Sequence, residues 1–455
     1  MLTILGFGMV ITFMYLIMTK RLSPLVALTL VPIVFALLGG FHAGLGPMML
    51  DGIRKIAPTG ILLMFAILYF GVMIDAGLFD PIVDFILRLV KGDPLKIVVG
   101  TTVLALVISL DGDGSTTYMI TVASMLPLYK RLKMNPLNLT CVALVASGLM
   151  NLTPWGGPTA RAASALHLDV GDVFVPLVGP IAVAIVALLA VSVWLGLKER
   201  RRLGYSLLTG RNGVVARMPA QVLPSIIEDE EDRRMPPDET ADDDVRRPKL
   251  RWINALLTVA LMACLVIGVL PLPVLFMIAF SIALLINYPD LAEQRRRLAN
   301  HAGNVLAVVS LIFAAGIFTG ILSGTGMVEA MSRSLLAVIP PSMGPYFAPI
   351  TAIVSMPFTF FMSNDAFYFG VLPILTEAAA KYGVTAVEMA RASLVGQPVH
   401  LLSPLVPSTY LLVGLAGVDF GDHQRFTLKW AVLVSLALMG ACLSFAIFPL
   451  VVAQP

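Results

Sequence analysis

Charge is what this chain has least of. Asp, Glu, Lys and Arg supply 13% of its 455 residues, against 58% hydrophobic. So little polar surface excludes a soluble protein of this length. Cysteine is scarce too: Cys141, Cys264 and Cys442 all lie in apolar runs, which gives no disulfide framework and no metal-ligand spacing. No GxxxxGK[ST] loop occurs, so nothing supports an ATP-driven activity of this chain. No basic and aromatic surface points to nucleic acid. The period-2 alternation of a membrane barrel is also missing.

What the chain does have is long apolar runs. Leu2–Met18, Leu25–Phe41, Ile61–Ala76, Val173–Leu197 and Ala255–Val269 carry no ionised side chain, or one at the very end. About 20 such residues span a bilayer core of roughly 30 Å as a helix. Because backbone polar groups in lipid must be satisfied internally, the expected fold is an all-α polytopic membrane protein. The first run has no basic residue before it and Lys20-Arg21 after it, the reverse of a secretory signal. It reads as a retained span with its N-terminus outside.

From that start, segments 20–23, 80–96, 130–133, 198–251, 289–301 and 419–429 hold 25 of the 31 Lys and Arg. Segments 42–57, 159–172, 324–344 and 381–391 hold the other 6. This bias places the first group in the cytoplasm. The count requires that residues 97–129 enter and leave on one side. Their apolar arms flank the polar tip Asp111-Gly-Asp-Gly-Ser-Thr-Thr117, and each arm reaches only about 18–21 Å as a helix. A re-entrant hairpin with a cytoplasmic mouth satisfies both constraints.

The plan then repeats. Ala76-Gly77-Leu78 matches Thr325-Gly326-Met327, and the tip around Asp113 matches Ser363-Asn364-Asp365. Leu152-Thr153-Pro154 matches Leu402-Ser403-Pro404, all at offsets of about 250 residues. Five spans and one hairpin per copy make an odd number of crossings, so the second copy is upside down relative to the first. The expected division is a first repeat over 1–197, a charged cytoplasmic linker over 198–251 and a second repeat over 252–455. An outer hairpin covers 345–380, where Pro349 and Pro357 argue for a broken first arm, and both termini lie outside. The linker is rich in acids and Arg, and reads as a solvated connector.

Acids at mid-membrane cost at least ~2.5–3.5 kcal/mol each on insertion scales. Asp111, Asp113 and Asp365 sit at the hairpin tips and are the candidate ligands for a hard cation such as Mg²⁺ or Ca²⁺. Helix capping is the plain alternative, but Ser or Asn would cap without a buried charge. Ser115, Thr116, Thr117, Ser363 and Asn364 place donors where a second arm begins, and a half-helix N-terminus favours a substrate carboxylate. The stretch Asn151-Leu-Thr-Pro-Trp-Gly-Gly-Pro-Thr159 cannot be a regular helix, which makes Asn151, Thr153, Gly156, Gly157 and Thr159 candidates. Ser403, Ser408 and Thr409 stand in the matching break. Arg161 either pairs with a carboxylate or anchors at the interface. Asp113, Asp365 and His400 are proton-coupling candidates, although a lone His is more often a structural residue. His42, His167, His301 and His423 read as loop histidines.

At these residues the chain resembles the CitMHS family, symporters of citrate complexed with a divalent metal ion. The likeness covers nearly the whole sequence. It is carried by LMFAILYFGVMIDAGLFDP, SLDGDGSTTYMITVASMLPLYKR, MNLTPWGGPTARA, MSNDAFYFGVLPIL and SPLVPSTYLLVGLAG. The resemblance implies proton-coupled uptake of the metal–citrate complex across a bacterial-type inner membrane. It implies a homodimer with elevator-like motion of transport domains against a scaffold. No nucleophile–base pair stands out, so no enzymatic activity is expected, and no permanently bound cofactor. In sodium-coupled relatives a Ser-Asn-Thr signature marks each tip; here Ser115-Thr116-Thr117 and Ser363-Asn364-Asp365 stand there. The added acids depart from that pattern and agree with a metal-bearing cargo or a proton. The competing readings are a sodium-coupled di- or tricarboxylate symporter, an ion/proton antiporter, and a channel or membrane enzyme.

Overall fold

Apolar runs, capped where the chain turns, give a bundle of helices. The structure is a computed structural model that describes residues 1–19, 21–90, 92–112, 114–204, 207–208, 215–216, 245–337 and 340–452. The first half runs α1 (Leu2–Met18), α2 (Pro24–Leu38), α3 (Leu45–Asp75), α4 (Asp80–Val90) and α5 (Pro94–Ile108). It continues through α6 (Gly114–Arg131), α7 (Pro136–Met150), α8 (Gly157–Leu166), α9 (Val170–Phe174) and α10 (Val178–Arg202). In the second half come α11 (Arg251–Ile267), α12 (Leu272–Asn287), α13 (Leu291–Gly324), α14 (Met327–Leu336) and α15 (Phe347–Phe361). A π-helical stretch, Ala366–Val371, leads into α16 (Leu372–Ala380), α17 (Ala386–Ser393), α18 (Gln397–His400), α19 (Pro407–Ala416) and α20 (Phe420–Ser444). By length and composition, five helical stretches among the described residues are able to cross a membrane: Leu45–Asp75, Val170–Arg202, Pro248–Leu265, Leu291–Gly324 and Phe420–Ser444. Shorter apolar helices pack among them.

The repeat is written into the turns. Positive φ recurs at Gly77 and Gly326, at Lys133 and Gly383, and at His167 and Gly417, each pair 249 or 250 residues apart. Caps recur at the same interval. Asp169 accepts from the Gly171 amide and Asp419 from the Asp422 amide, while Asn135 and Thr385 cap α7 and α17. Equivalent helices also meet head to tail. Along α3 and α13, Gly52 faces Gly316 and Gly320, whereas Gly71 faces His301. Along α10 and α20, Gly179 faces Phe445 while Trp194 packs on Trp430 at 5.0 Å. Gly148 and Pro398, 250 apart, touch each other, which places the axis relating the copies between α7 and α18.

Several expectations change. Residues 45–57 and 291–301 are not loops but the first turns of α3 and α13, which at 1.5 Å per residue run roughly 46 and 51 Å. His301 and His423 therefore lie in helices: His301 contacts Asp75 at 2.9 Å, and His423 is buried beside Thr140 at 3.0 Å. Pro357 does not break the second hairpin's first arm. The helix α15 runs straight through it, as α6 does through Pro127, because surrounding helices absorb the lost bond. At 15 residues, α15 is roughly 22 Å long, a hairpin arm in length.

Both ends of the 198–251 segment are held against the helices. Its first residues extend α10, with Arg200 Nε donating to Asp93 Oδ1 at 2.7 Å. Its last residues are clamped: the Arg247 amide donates to the Ala76 carbonyl at 3.2 Å, and Arg246 and Arg251 pair with Asp80 at 3.0 and 3.1 Å. Between these ends only β1 (Leu207–Leu208) and β2 (Val215–Ala216), an antiparallel pair, fall within the described residues.

The α3–α13 crossing sets a test. A Cβ on Gly52 would stand 2.0 Å from the Gly316 carbonyl oxygen, while one on Gly46 meets nothing within 4 Å. Both glycines gain helix propensity on becoming alanine, so their difference isolates the steric term. Gly52→Ala is expected to be less stable than Gly46→Ala by about 1–3 kcal/mol, read as thermal unfolding in detergent. Equal stability would mean the seam is not close-packed.

Candidate functional site

Four irregular pieces of chain converge: two hairpin turns and two helix breaks. In the first hairpin, α5 closes in a single 3₁₀ turn, Ser109–Asp111, then Gly112 in the left-handed region, and α6 starts at Gly114. Ser109 Oγ donates to Thr117 Oγ1 at 3.1 Å, stitching the arms together across the turn. Ser115 and Thr116 occupy the first turn of α6, half-buried, and Thr117 is buried. The Asp111 side chain and the whole of Asp113 lie outside the described residues, and with them two of the three proposed metal ligands.

The first break lies between α7 and α8. Residues 151–156 are a chain of turns, forced by Pro154 and Pro158, before the chain resumes as helix at Gly157. Gly156 has to be glycine here, since a Cβ would fall 1.9 Å from the Asn151 carbonyl oxygen. Thr159 Oγ1 donates back to the Leu152 carbonyl at 3.0 Å and closes the loop. Trp155 fastens this break to the first tip by donating Nε1–H to the Leu110 carbonyl at 2.8 Å. Thr153 Oγ1 is buried with no hydrogen-bond partner among the described residues, and Asn151 is half-buried beside it in the chain.

The second half builds the same device. In its hairpin, α15 ends in extended backbone at Met362, and Ser363 Oγ accepts from the Ala366 amide at 3.2 Å. Asn364 and Gln397 exchange amide hydrogen bonds at 3.4 and 3.2 Å, and Gln397 Nε2 also donates to the Tyr368 hydroxyl at 2.8 Å. In the second break, Thr409 Oγ1 donates to the Leu401 carbonyl, mirroring Thr159, and Ser403 Oγ accepts from the Leu405 amide at 3.1 Å. Ser408 faces the first tip, where a Cβ on Gly114 would lie 3.3 Å from its hydroxyl. His400 Nδ1 lies 2.6 Å from the Thr359 carbonyl, so that nitrogen carries the hydrogen and ties α18 to α15.

The two halves are joined by charge. Arg161, on α8 just past the first break, donates Nε–H to Asp365 Oδ1 of the second tip at 2.6 Å. The pair is nearly enclosed, with side chains 20% and 10% exposed. One cation and one anion from opposite copies therefore neutralise each other amid hydroxyls, amides and helix ends. Among the described residues no group of three or more His, Cys, Asp and Glu side chains converges as a metal centre. Tyr368 and Trp155 were not singled out in the sequence. The offset of 250 that links Tyr118 to Tyr368 was the available signal for the first.

Removing one partner of a buried pair strands the other, typically at about 3–5 kcal/mol. Arg161→Gln and Asp365→Asn should each destabilise the protein in detergent, and the double variant should recover most of that loss. Transport should stay absent in all three. A double variant that regains transport would reduce the pair to a structural tie.

The family model of the citrate transporters, CitMHS, matches residues 13–396. A "Citrate transporter" of Bacillus subtilis is 59% identical over 447 residues, covering 98% of this chain and 99% of its own. The "Mg(2+)/citrate complex secondary transporter" of the same organism is 54% identical over 444 residues, covering 97% and 98%. Among solved structures, the Alcanivorax borkumensis YdaH transporter aligns with a TM-score of 0.51 at 12% identity, over 91% of this chain and 90% of that one, a likeness of fold alone. With its helical fold, its two matching breaks and a family match over most of its length, this chain belongs to the citrate transporter family.

Proposed function

We propose that the chain takes up citrate as its complex with a divalent metal ion, of the Mg²⁺ or Ca²⁺ kind, in symport with protons. The observation that carries this reading is the Arg161–Asp365 pair, held between two hairpin tips and two helix breaks. A metal–citrate complex presents carboxylate oxygens and a hard cation together. A guanidinium suits the first and a carboxylate the second. The cargo would part the pair, its carboxylates turning to Arg161 and its metal to Asp365, with Asp111 and Asp113 adding oxygens from the opposite tip. The donors of Ser115, Thr116, Thr117, Ser363 and Asn364, and the helix N-termini that restart after each break at Gly157 and Pro407, would take the remaining carboxylate oxygens. The relative named for the Mg²⁺/citrate complex supports a cargo of this kind.

In this reading residues 1–197 and 252–455 are the two inverted repeats, joined by the linker 198–251. Hairpin 97–129 opens to the cytoplasm and hairpin 345–380 to the outside. Each tip then closes the site from its own side, and alternating access follows as an elevator-like movement of the hairpin-bearing part. The proposed setting is a homodimer in a bacterial-type inner membrane, with both termini outside, as the Lys and Arg bias supports.

Labelled citrate uptake into vesicles tests the cargo directly. Uptake should rise with Mg²⁺ or Ca²⁺, fall at least tenfold with EDTA, and follow an inward proton gradient. Uptake that ignores EDTA and requires Na⁺ would replace this reading with sodium-coupled carboxylate symport.

A further inference from the structure

Asp75 and His301 meet where the two longest helices cross. Asp75 is the last residue of α3, and His301 lies about three turns into α13 at 3.6 residues per turn. His301 Nε2 stands 2.9 Å from Asp75 Oδ2, with side chains 17% and 20% exposed. Among the described residues this is the only contact between a histidine and a carboxylate. The imidazole is seated flat against the chain, since a Cβ on Gly71 would fall 2.7 Å from Nδ1.

The repeat shows that the crossing does not need an imidazole. Gly52 and His301 are equivalent at an offset of 249, and so are Gly71 and Gly320. At one end of the α3–α13 seam Gly52 meets Gly320, backbone against backbone; at the other Gly71 meets His301. The fold closes the first contact with no side chain at all. A histidine at the second, bound to a carboxylate of the other copy, is an addition that packing does not require.

Its surroundings are those of a site that handles charge. Arg297, almost fully buried, reaches Asp75 at 3.4 Å and Glu293 at 2.9 Å. Glu293 also pairs with Arg296 at 3.2 Å, near the surface. From the end of α12, the Tyr288 ring lies 5.8 Å from the Arg297 guanidinium and 4.9 Å from that of Arg247, on the clamped end of the linker. A chain of contacts leads from the pair to the first hairpin tip. Asp75 follows Phe70 by five residues, roughly 7.5 Å along the helix. Phe70 packs on Trp155 at 5.1 Å, and Trp155 holds the first hairpin tip through Leu110. Contact between α3 and the first tip therefore runs through Trp155.

We propose that Asp75 and His301 form a proton-binding site of the transport cycle. One proton taken from water turns the neutral imidazole into imidazolium against the Asp75 carboxylate and tightens the seam. Its return to water when the seam opens resets the pair. Imidazole is the side chain whose ordinary protonation range brackets neutral pH. The inference rests on the proton-symport reading above and names the group that would carry the proton.

The test compares purified wild type, His301→Gln and Asp75→Asn in vesicles, using labelled citrate with Mg²⁺. Two assays are run: accumulation driven by a pH gradient, and citrate exchange at equal pH on both sides, which moves no net proton. The expected result is a loss of accumulation of at least tenfold in both variants, with exchange within about twofold of wild type. Variants that accumulate as wild type does, or that lose accumulation and exchange in equal measure, overturn the proposal. Wild-type vesicles indifferent to the pH gradient overturn proton symport itself, and are recognised before any variant is compared.

Discussion

An ionised side chain is expensive in a medium that cannot solvate it, and nearly everything distinctive about this fold answers that expense. Arg161 and Asp365 are each tolerable inside the bundle because each neutralises the other, 204 residues away in sequence and on the opposite copy of the repeat. Arg161 stands on α8 just past a break and Asp365 at a hairpin tip, so the pair is met by interrupted helices on both sides. Pro154, Pro158, Pro404 and Pro407 make the breaks, and Thr159 and Thr409 each close one with a backward hydrogen bond, to the Leu152 and Leu401 carbonyls. The breaks in turn require hairpins to cover them, and the covering contacts are specific: Trp155 on Leu110 in one half, Gln397 on Asn364 in the other.

In the proposed reading, the Arg161–Asp365 pair closes on itself without cargo and parts to receive it. Water is the competitor a transporter must exclude, and a neutralised empty site has less need of it. Any cargo able to part the ions must supply both charges back, which a bare carboxylate or a bare cation does only in part. The same logic extends to the α3–α13 seam, where Asp75, Arg297, Glu293 and His301 bring ionisable groups to a junction that its glycine-lined equivalent closes without any.

Much of this was legible in the sequence, for physical reasons. Proline and glycine mark turns by their own backbone restrictions, so the three anchors at offsets near 250 located the repeat, both hairpins and both breaks before any coordinates. Polarity was a poorer guide. Arg54 with Lys55, and Arg295 through Arg297, made the starts of α3 and α13 look like loops, although a helix longer than the hydrocarbon core carries charge on its ends without stopping. Pro357 was read as a break, but a proline interrupts a membrane helix only when neighbours fail to re-satisfy the backbone. The partner of Arg161 was not legible at all, since no local pattern connects α8 to the second tip. His301 was dismissed for the related reason that its carboxylate lies 226 residues away.

The central claim is that two oppositely oriented re-entrant hairpins bring their tips together inside the membrane. Single cysteines, introduced after replacing Cys141, Cys264 and Cys442, and labelled with membrane-impermeant reagents from either face, test it most directly. Sites at Lys96 and Lys130 should react from the cytoplasmic face, and sites at Ser342 and Lys381 from the outer face. Flanks of one hairpin that react from different faces would show a helix pair that crosses, and would contradict the account.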